Sequence, residues 1–160
     1  MTLTPNSIII YTSIKERTNM AYVSKETKQV IAPEIKRVLK KWKMKGSISG
    51  QGSATLKVTI NAGPFSLPKA SHNHWNTGYE YYQVNPYWYQ TAEGLSGSWK
   101  NFLSELESAM KGSIWFDKSD SMTDYFHTAY YIDMQIGAGT KEYRFEPKLR
   151  KALLKSVGIA

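Results

Sequence analysis

The densest group of chemically useful side chains is a basic run in the first third of the chain. Six cations fall within ten residues: Lys36, Arg37, Lys40, Lys41, Lys43 and Lys45. No acidic residue occurs between Ile35 and Gly52, whereas an ordinary solvated helix face mixes both signs. The run predicts a surface that binds nucleic-acid phosphates or an acidic protein, and a merely solvated helix face is the alternative. Because lysine outnumbers arginine, we expect nucleic-acid contacts that position the protein without reading sequence.

A segment rich in tyrosine and tryptophan is the second candidate site. Seven rings lie within residues 75–89, and we assign six of them to partner recognition: Trp75, Tyr79, Tyr82, Tyr87, Trp88 and Tyr89. Such rings give a large contact area at small entropic cost, and they stack on unpaired bases. The alternative is a loop whose rings pack on the sheet. We expect both: Trp75 packs on the sheet, and at least two of Tyr79, Tyr82, Tyr87 and Tyr89 stay exposed.

Histidines and aspartates offer weaker candidates for metal binding. His72 and His74 form an H-x-H pair that would need a third ligand such as His127 or Glu80. A second cluster consists of Asp117, Asp120 and Asp124. That cluster lacks the alternate spacing and central glycine of a calcium loop, and aspartates that form turns explain it better. We therefore assign no metal and no cofactor to the chain.

Motifs for nucleophilic catalysis do not occur either. The sequence has no cysteine, which excludes disulfides, thiolate zinc sites, iron–sulfur clusters and cysteine nucleophiles. It also has no G-x-S-x-G, no S-x-x-K at a helix start and no glycine-rich phosphate loop. The glycines at 50 and 52 indicate a hairpin turn. We expect a protein without catalytic residues, and a small metal-dependent enzyme is the least favoured alternative.

Composition favours one basic folded domain. The 160 residues carry 21 Lys and Arg against 13 Asp and Glu, a formal charge of +8, which attracts polyanions. The length and 41% hydrophobic residues predict a single domain over 1–160, with a core region at 20–145 and a C-terminal helix at 146–160. Neither a membrane-length apolar stretch nor a secretory signal is visible. We therefore expect no membrane partner. The absence of cysteine favours a protein of the reducing cytoplasm, with an exported protein as the alternative.

Hydrophobic periodicity predicts three helices, near residues 33–45, 99–111 and 147–157. Ser24 is a candidate N-cap with Glu26 in the first turn, where the helix dipole favours a negative charge. Pro33 either opens a helix that begins near residue 32 or kinks a longer one. Gly46 is expected to end this helix. Ser96 or Ser98 caps the second helix, which Gly112 ends.

Alternating residues predict the strands. Residues 47–49 and 54–61 form a hairpin around the turn at 50–53, with Leu56, Val58 and Ile60 on one face. Residues 125–136 form the strongest strand and turn at 137–139 into a short strand at 142–145. An edge strand is expected at 7–14, and the long irregular segment 62–93 has room for a short helix at 79–84. The prediction is an α+β fold: an antiparallel sheet of two hairpins with about three helices packed on it.

Several segments together carry a resemblance to a known family. They are residues 21–26 (AYVSKE), 31–36 (IAPEIK), 44–48 (MKGSI), 55–60 (TLKVTI), 84–88 (VNPYW), 119–126 (SDSMTDYF) and 130–137 (YYIDMQIG). With these segments the chain resembles a large polyvalent protein-associated domain of the twenty-ninth type, over about residues 20–145. The segment S-D-x-x-T-D-Y-F that leads into the following strand is its most specific part.

The resemblance implies a context rather than an activity. Such domains occur in phages and conjugative elements, often in giant proteins thought to enter the host with the DNA and to counter its defences. It implies no catalytic residue, because the activities of these domains are mostly unknown. The sequence departs from the family pattern at His127, where an aspartate is usual, and in the glycines after Gly137.

The resulting expectation is a phage or mobile-element accessory protein, acting as a counter-defence effector in the host cytoplasm or packaged in the virion. It would bind host nucleic acid, or a machine of nucleic acid and protein, through the basic run. The alternative is a protein-binding module that uses the tyrosine-rich loop on an acidic host defence protein.

Overall fold

A computed structural model describes residues 20–68, 79–120, 122 and 127–156, together with the backbone of His72–Asn73. Within these ranges the chain forms three α-helices, six strands and a short 3₁₀ helix (Tyr89–Thr91). In chain order the elements are α1 (Lys25–Lys41), β1 (Lys45–Ser49), β2 (Thr55–Gly63), β3 (His72–Asn73), β4 (Glu80–Val84), α2 (Gly97–Lys111), β5 (Tyr131–Ile136), β6 (Arg144–Phe145) and α3 (Pro147–Ser156). The edge strand expected at 7–14 lies outside the described residues.

Helix α1 is longer than predicted at its start and shorter at its end. The Ser24 hydroxyl accepts the N–H of Thr27 at 3.0 Å, which confirms the predicted cap. Pro33 lies inside a single helix. Proline has no N–H, so one carbonyl in the preceding turn lacks its helical donor, but this side of the helix is exposed and water can bond to that carbonyl. The prediction that Gly46 ends the helix is wrong: Lys43, at φ 56°, makes the turn, and the Met44 N–H donates to the Leu39 carbonyl at 2.8 Å.

Helix α2 begins and ends as predicted. The Ser96 hydroxyl accepts the N–H of Trp99 at 3.4 Å, and Gly112 ends the helix at φ 55°. An added Cβ at Gly112 would lie 2.6 Å from the δ-methyl group of Ile31, so glycine also allows α1 to approach closely here. Helix α3 begins at Pro147, where the missing N–H costs nothing.

The sheet is mixed, and its order is β1-β2-β5-β4-β3, with β6 beside β2 beyond the end of β5. Among the described strands, the pairs β1–β2, β4–β5 and β3–β4 are antiparallel, and β2 pairs in parallel with both β5 and β6. The first predicted hairpin is confirmed by β1 and β2. The second is wrong, because β6 passes β5 and pairs with Ala62 and Gly63 of β2. The short helix suggested at 79–84 is also wrong, since these residues form β4.

One face of the sheet and the helices share a hydrophobic core. Leu56, Val58 and Ile60 of β2 are fully buried, as the alternation predicted, and Met134 and Ile136 of β5 join them. Helices α1 and α2 pack on each other and contribute the other half of this core, through the buried residues Ile31, Ile35, Val38, Phe102, Leu103, Leu106 and Met110. The α+β class is therefore confirmed, with helices against one face of a mixed sheet.

Candidate functional site

The basic run extends from α1 through the following turn into β1. Lys36, Arg37, Lys40 and Lys41 are exposed on the helix, Lys43 is half-buried in the turn, and Lys45 is exposed at the start of β1. The helix buries its apolar stripe against α2 and the sheet, so its cations are left on the solvent side. The basic run therefore lies at the surface, with one of its six members partly covered.

Carboxylates pair with half of this run, one from the same helix and two from other parts of the chain. The Arg37 guanidinium lies 3.2 Å from the carboxylate of Glu34 on the same helix. The Lys41 ammonium lies 2.9 Å from the carboxylate of Glu105 on α2. The Lys45 ammonium lies 3.3 Å from the carboxylate of Glu146, just before α3. The remaining cations are Lys36, Lys40 and Lys43. Within the described ranges, none of these three forms an ion pair. We call them the unpaired lysines.

The ion-paired cations and the unpaired lysines of α1 lie at different angles around the helix axis. At 3.6 residues per turn, Arg37 and Lys41 lie on the side of α1 that faces α2, where Glu34 and Glu105 line the same groove. Lys36 faces away from that groove, and Lys40 lies between Lys36 and Arg37, about 60° around the helix axis from Arg37. The unpaired lysines therefore form a strip that borders the paired cations, and Lys43 follows in the turn after the helix.

Glu105 is held as an anion at the interface of α1 and α2. It accepts hydrogen bonds from the Lys41 ammonium at 2.9 Å and 3.0 Å and from the Trp42 indole N–H at 2.9 Å. Partial burial alone would raise the pKa of Glu105, but these bonds and the charges of Lys41 and Arg37 lower it below its ordinary value. Lys41 therefore has a structural partner.

The aromatic segment divides into buried and exposed rings. Tyr82 and Tyr89 are buried, and the Tyr89 hydroxyl donates to Glu107 at 2.8 Å. Burial, and for Tyr89 also the Glu107 carboxylate, raises the pKa of both phenols. Tyr79, Tyr87 and Trp88 are 42%, 82% and 68% exposed, which confirms that at least two of the four tyrosines remain accessible. Trp75 lies outside the described residues.

Two of the exposed rings project from a tight turn after β4. The Asn85 side-chain oxygen accepts the Tyr87 N–H at 2.9 Å, and the Asn85 carbonyl accepts the Tyr89 N–H at 3.0 Å. Pro86 cannot donate to a neighbouring strand, so the chain leaves the sheet here. The turn directs Tyr87 and Trp88 to solvent while it buries Tyr89.

A cavity of about 160 Å³ lies beside this turn, and four of the ten residues that line it are aromatic. The residues that matter for its chemistry are Tyr87, Glu107, Lys111, Trp115, Asp117 and Tyr131. We call it the aromatic pocket. The sequence prediction included Tyr87 but missed Trp115 and Tyr131 as site residues, because they come from segments far apart in the chain. The only sequence feature that pointed to them was the high aromatic content of the chain.

The aspartate and histidine candidates have structural partners. Asp117 accepts the Ser119 N–H at 2.9 Å and the Thr128 hydroxyl at 3.0 Å, and Asp120 accepts the Met122 N–H at 2.9 Å. The side-chain and backbone bonds from Ser119 lower the pKa of Asp117, and Thr128 contributes to the same shift. Both aspartates therefore form turns, as the sequence favoured.

Metal binding finds no support among the residues that the structure describes. No group of three or more His, Asp or Glu within them is placed to hold a metal ion. The ring of His127 packs edge-on against Phe116 with centroids 5.0 Å apart. His74 and Asp124 lie outside the described residues, as does the side chain of His72.

None of the described helices has the length and apolar character needed to cross a membrane. No family model matches the chain, and neither a curated protein nor a solved structure matches it significantly. The resemblance to a large polyvalent protein-associated domain therefore rests on the segments quoted for it.

Proposed function

We propose that the chain is a non-enzymatic accessory protein that binds nucleic acid through the strip of unpaired lysines. The observation that carries the proposal is that Lys36 and Lys40 of α1 and Lys43 in the turn after it form no ion pair in the described part of the chain. An ammonium without a carboxylate partner is free to replace the counterions of a phosphate backbone. The formal charge of +8 adds long-range attraction for a polyanion.

The biological setting that we propose follows from the sequence resemblance. It is a phage or similar mobile element whose small effector acts in the host cytoplasm, or is packaged in the virion, and counters host defence. The target would be host nucleic acid or a machine that contains it.

A charge-matched pair of triple variants tests the nucleic-acid proposal. The first carries Lys36→Gln, Lys40→Gln and Lys43→Gln, and the control carries Lys25→Gln, Lys118→Gln and Lys141→Gln at other surface sites. Both lose three positive charges, so the comparison separates local phosphate contacts from net charge. Lys41 is left unchanged because it bonds to Glu105.

Affinity for duplex DNA and for RNA is then measured over a series of salt concentrations. Each lysine that contacts a phosphate adds about one unit to the slope of log affinity against log salt. We expect the first variant to reduce that slope by about three units and the control to leave it nearly unchanged. Equal slopes in both variants would mean that only net charge acts, and the strip would have no specific role.

The second candidate function is a protein-binding module, and the exposure of Tyr87 and Trp88 favours it. Large rings at the tip of a rigid turn are the residue types that dominate protein interfaces. Capture from a host lysate with and without nuclease distinguishes the two functions. A protein partner that stays bound after nuclease treatment and depends on Tyr87 and Trp88 would support the module.

A further inference from the structure

The aromatic pocket exists because β4 stops before β5 does. Strand β4 pairs with residues 134–136 of β5 and ends at Val84, so the first half of β5 extends past it. The turn at Asn85 then carries Tyr87 away from the sheet, and the gap between this turn and the end of α2 is the pocket. The opening is therefore built by the sheet and a hydrogen-bonded turn.

Two of the rings that line it are open to solvent. Tyr131, at the start of β5, is 49% exposed, and Tyr87, in the turn after β4, is 82% exposed. Trp115 is held in place by its indole N–H, which donates to the Tyr130 carbonyl at 2.8 Å. Trp115 therefore forms a fixed wall, and the exposed rings of Tyr87 and Tyr131 are available to stack on another planar group.

The polar groups at the pocket define the charge that a ligand can carry. The Lys111 ammonium lies 4.5 Å from the centroid of the Trp115 ring and 3.1 Å from the Glu107 carboxylate. The carboxylates of Glu107 and Asp117 also line the pocket, so its charged groups are one cation and two anions. A neutral planar ring with donors and acceptors on its edge can bond to both kinds of group.

The same groups match a ring that both donates and accepts hydrogen bonds. Asp117 and Glu107 supply carboxylate oxygens, and Lys111 supplies donors. Guanine carries a carbonyl oxygen next to two N–H donors on its pairing edge, which suits an ammonium beside a carboxylate. Adenine has no carbonyl oxygen, and thymine and cytosine carry N–H donors on only one nitrogen, so they cannot place two donor nitrogens on a carboxylate beside a carbonyl oxygen.

We propose that the aromatic pocket takes one unpaired nucleobase of a single-stranded nucleic acid, with guanine as the preferred base. The base would stack on Tyr87 and Tyr131 and turn its polar edge toward Asp117 and Lys111. This inference rests on the proposed nucleic-acid function and names its substrate as a strand with exposed bases, which proteins recognise by stacking and by the pairing edge.

The test uses two probes, guanosine and a strand of about ten thymidines with one central guanine. Tryptophan fluorescence reports binding of guanosine, which carries no phosphate, and anisotropy reports binding of the strand and of its duplex. The variants are Tyr87→Ala and Asp117→Asn, with Tyr79→Ala as a control because Tyr79 is also exposed but does not line the pocket. Tyr87 is so exposed that its removal leaves the core unchanged.

We expect Tyr87→Ala to weaken single-strand binding about five- to tenfold and to leave duplex binding unchanged, because one stacking contact is lost. Asp117→Asn keeps the acceptor for the Ser119 N–H and should remove the preference for guanosine over thymidine. Tyr79→Ala should bind as the unmodified protein does. Unchanged single-strand affinity in Tyr87→Ala, or a peptide arginine that binds better than guanosine, would overturn the proposal.

The two proposals fail in different ways. If the pocket is wrong but the lysine strip is right, duplex binding keeps its salt slope while guanosine does not bind. If the unpaired lysines do not bind phosphate but the aromatic pocket binds a base, guanosine still binds. Every salt slope then stays unchanged in the triple variant Lys36→Gln, Lys40→Gln and Lys43→Gln.

Discussion

At the residue scale, Glu105 links the two core helices through an ion pair and a hydrogen bond. Its carboxylate accepts from Lys41 and from the Trp42 indole, both at the end of α1 or just beyond it. The folded pKa lies below the ordinary value of 4.5. A lowered carboxylate pKa stabilises the folded state above the unfolded pKa, and this contribution is lost as the pH falls through the folded pKa.

Glu105→Gln should therefore lower stability at neutral pH but not in acid. Glutamine keeps an acceptor for the indole N–H and removes only the charge, and since the pair is partly exposed we expect a loss of about 1 kcal/mol or less. Urea unfolding at neutral pH and at about pH 3 measures the difference. The difference should begin to shrink as the pH falls below the ordinary pKa of 4.5, where the unfolded carboxylate takes up its proton, and should vanish below the lower folded pKa, where the folded carboxylate is protonated too. An equal loss at both pH values would assign the effect to packing. Glu34→Gln, at an exposed pair on one helix, is the control.

At the element scale, the β1–β2 hairpin depends on two glycines with positive φ that differ in their surroundings. Gly50 has φ 112°, and an added Cβ would lie 2.0 Å from the Thr55 carbonyl oxygen. Gly52 has φ 84°, and its added Cβ would meet nothing within 4 Å. Ser53 completes the turn, since its hydroxyl donates to the Gly50 carbonyl at 2.7 Å.

Gly50→Ala and Gly52→Ala separate backbone strain from steric clash. Gly52→Ala should cost about 1–2 kcal/mol, the typical penalty for a side chain at positive φ. Gly50→Ala should cost clearly more, because the backbone of Thr55 must also move. Chemical unfolding followed by circular dichroism gives both values. Equal losses would mean that the hairpin turn rearranges freely and that the clash plays no part.

The elements that the sequence predicted well are those whose pattern is long and local. Helix α2 shows both its cap and its apolar stripe, and β2 alternates over most of its nine residues. Strand β4 has only five residues, too few for its period to exclude a helix, although Tyr82 and Val84 do alternate with exposed Gln83. The parallel pairing of β2 with β5 and β6 joins segments distant in sequence, so no local pattern encodes it.

At the scale of the whole molecule, tertiary structure decides which charges and rings are available. The sequence predicted a basic surface, and the fold selects three members of it by bringing Glu105 and Glu146 to Lys41 and Lys45. Those carboxylates are more than sixty residues from their partners in the chain, so spacing could not reveal them. The aromatic pocket is likewise assembled from a turn, a helix end and a strand start. The lysines and Tyr87 were therefore predictable as candidates, but Trp115, Tyr131 and the grouping of these side chains were not.

The continuity of the core predicts that the chain unfolds as one unit. One cluster of buried residues joins α1, α2, β2 and β5, so no described element has a core of its own. Leu106→Ala, at a fully buried position of α2, should cost about 2–5 kcal/mol, whereas Asn101→Ala on the exposed side of the same helix should cost little. Far-UV circular dichroism and tryptophan fluorescence should shift together in Leu106→Ala, because a single cooperative transition moves both signals. Two separate midpoints would instead divide the chain into independent folding units.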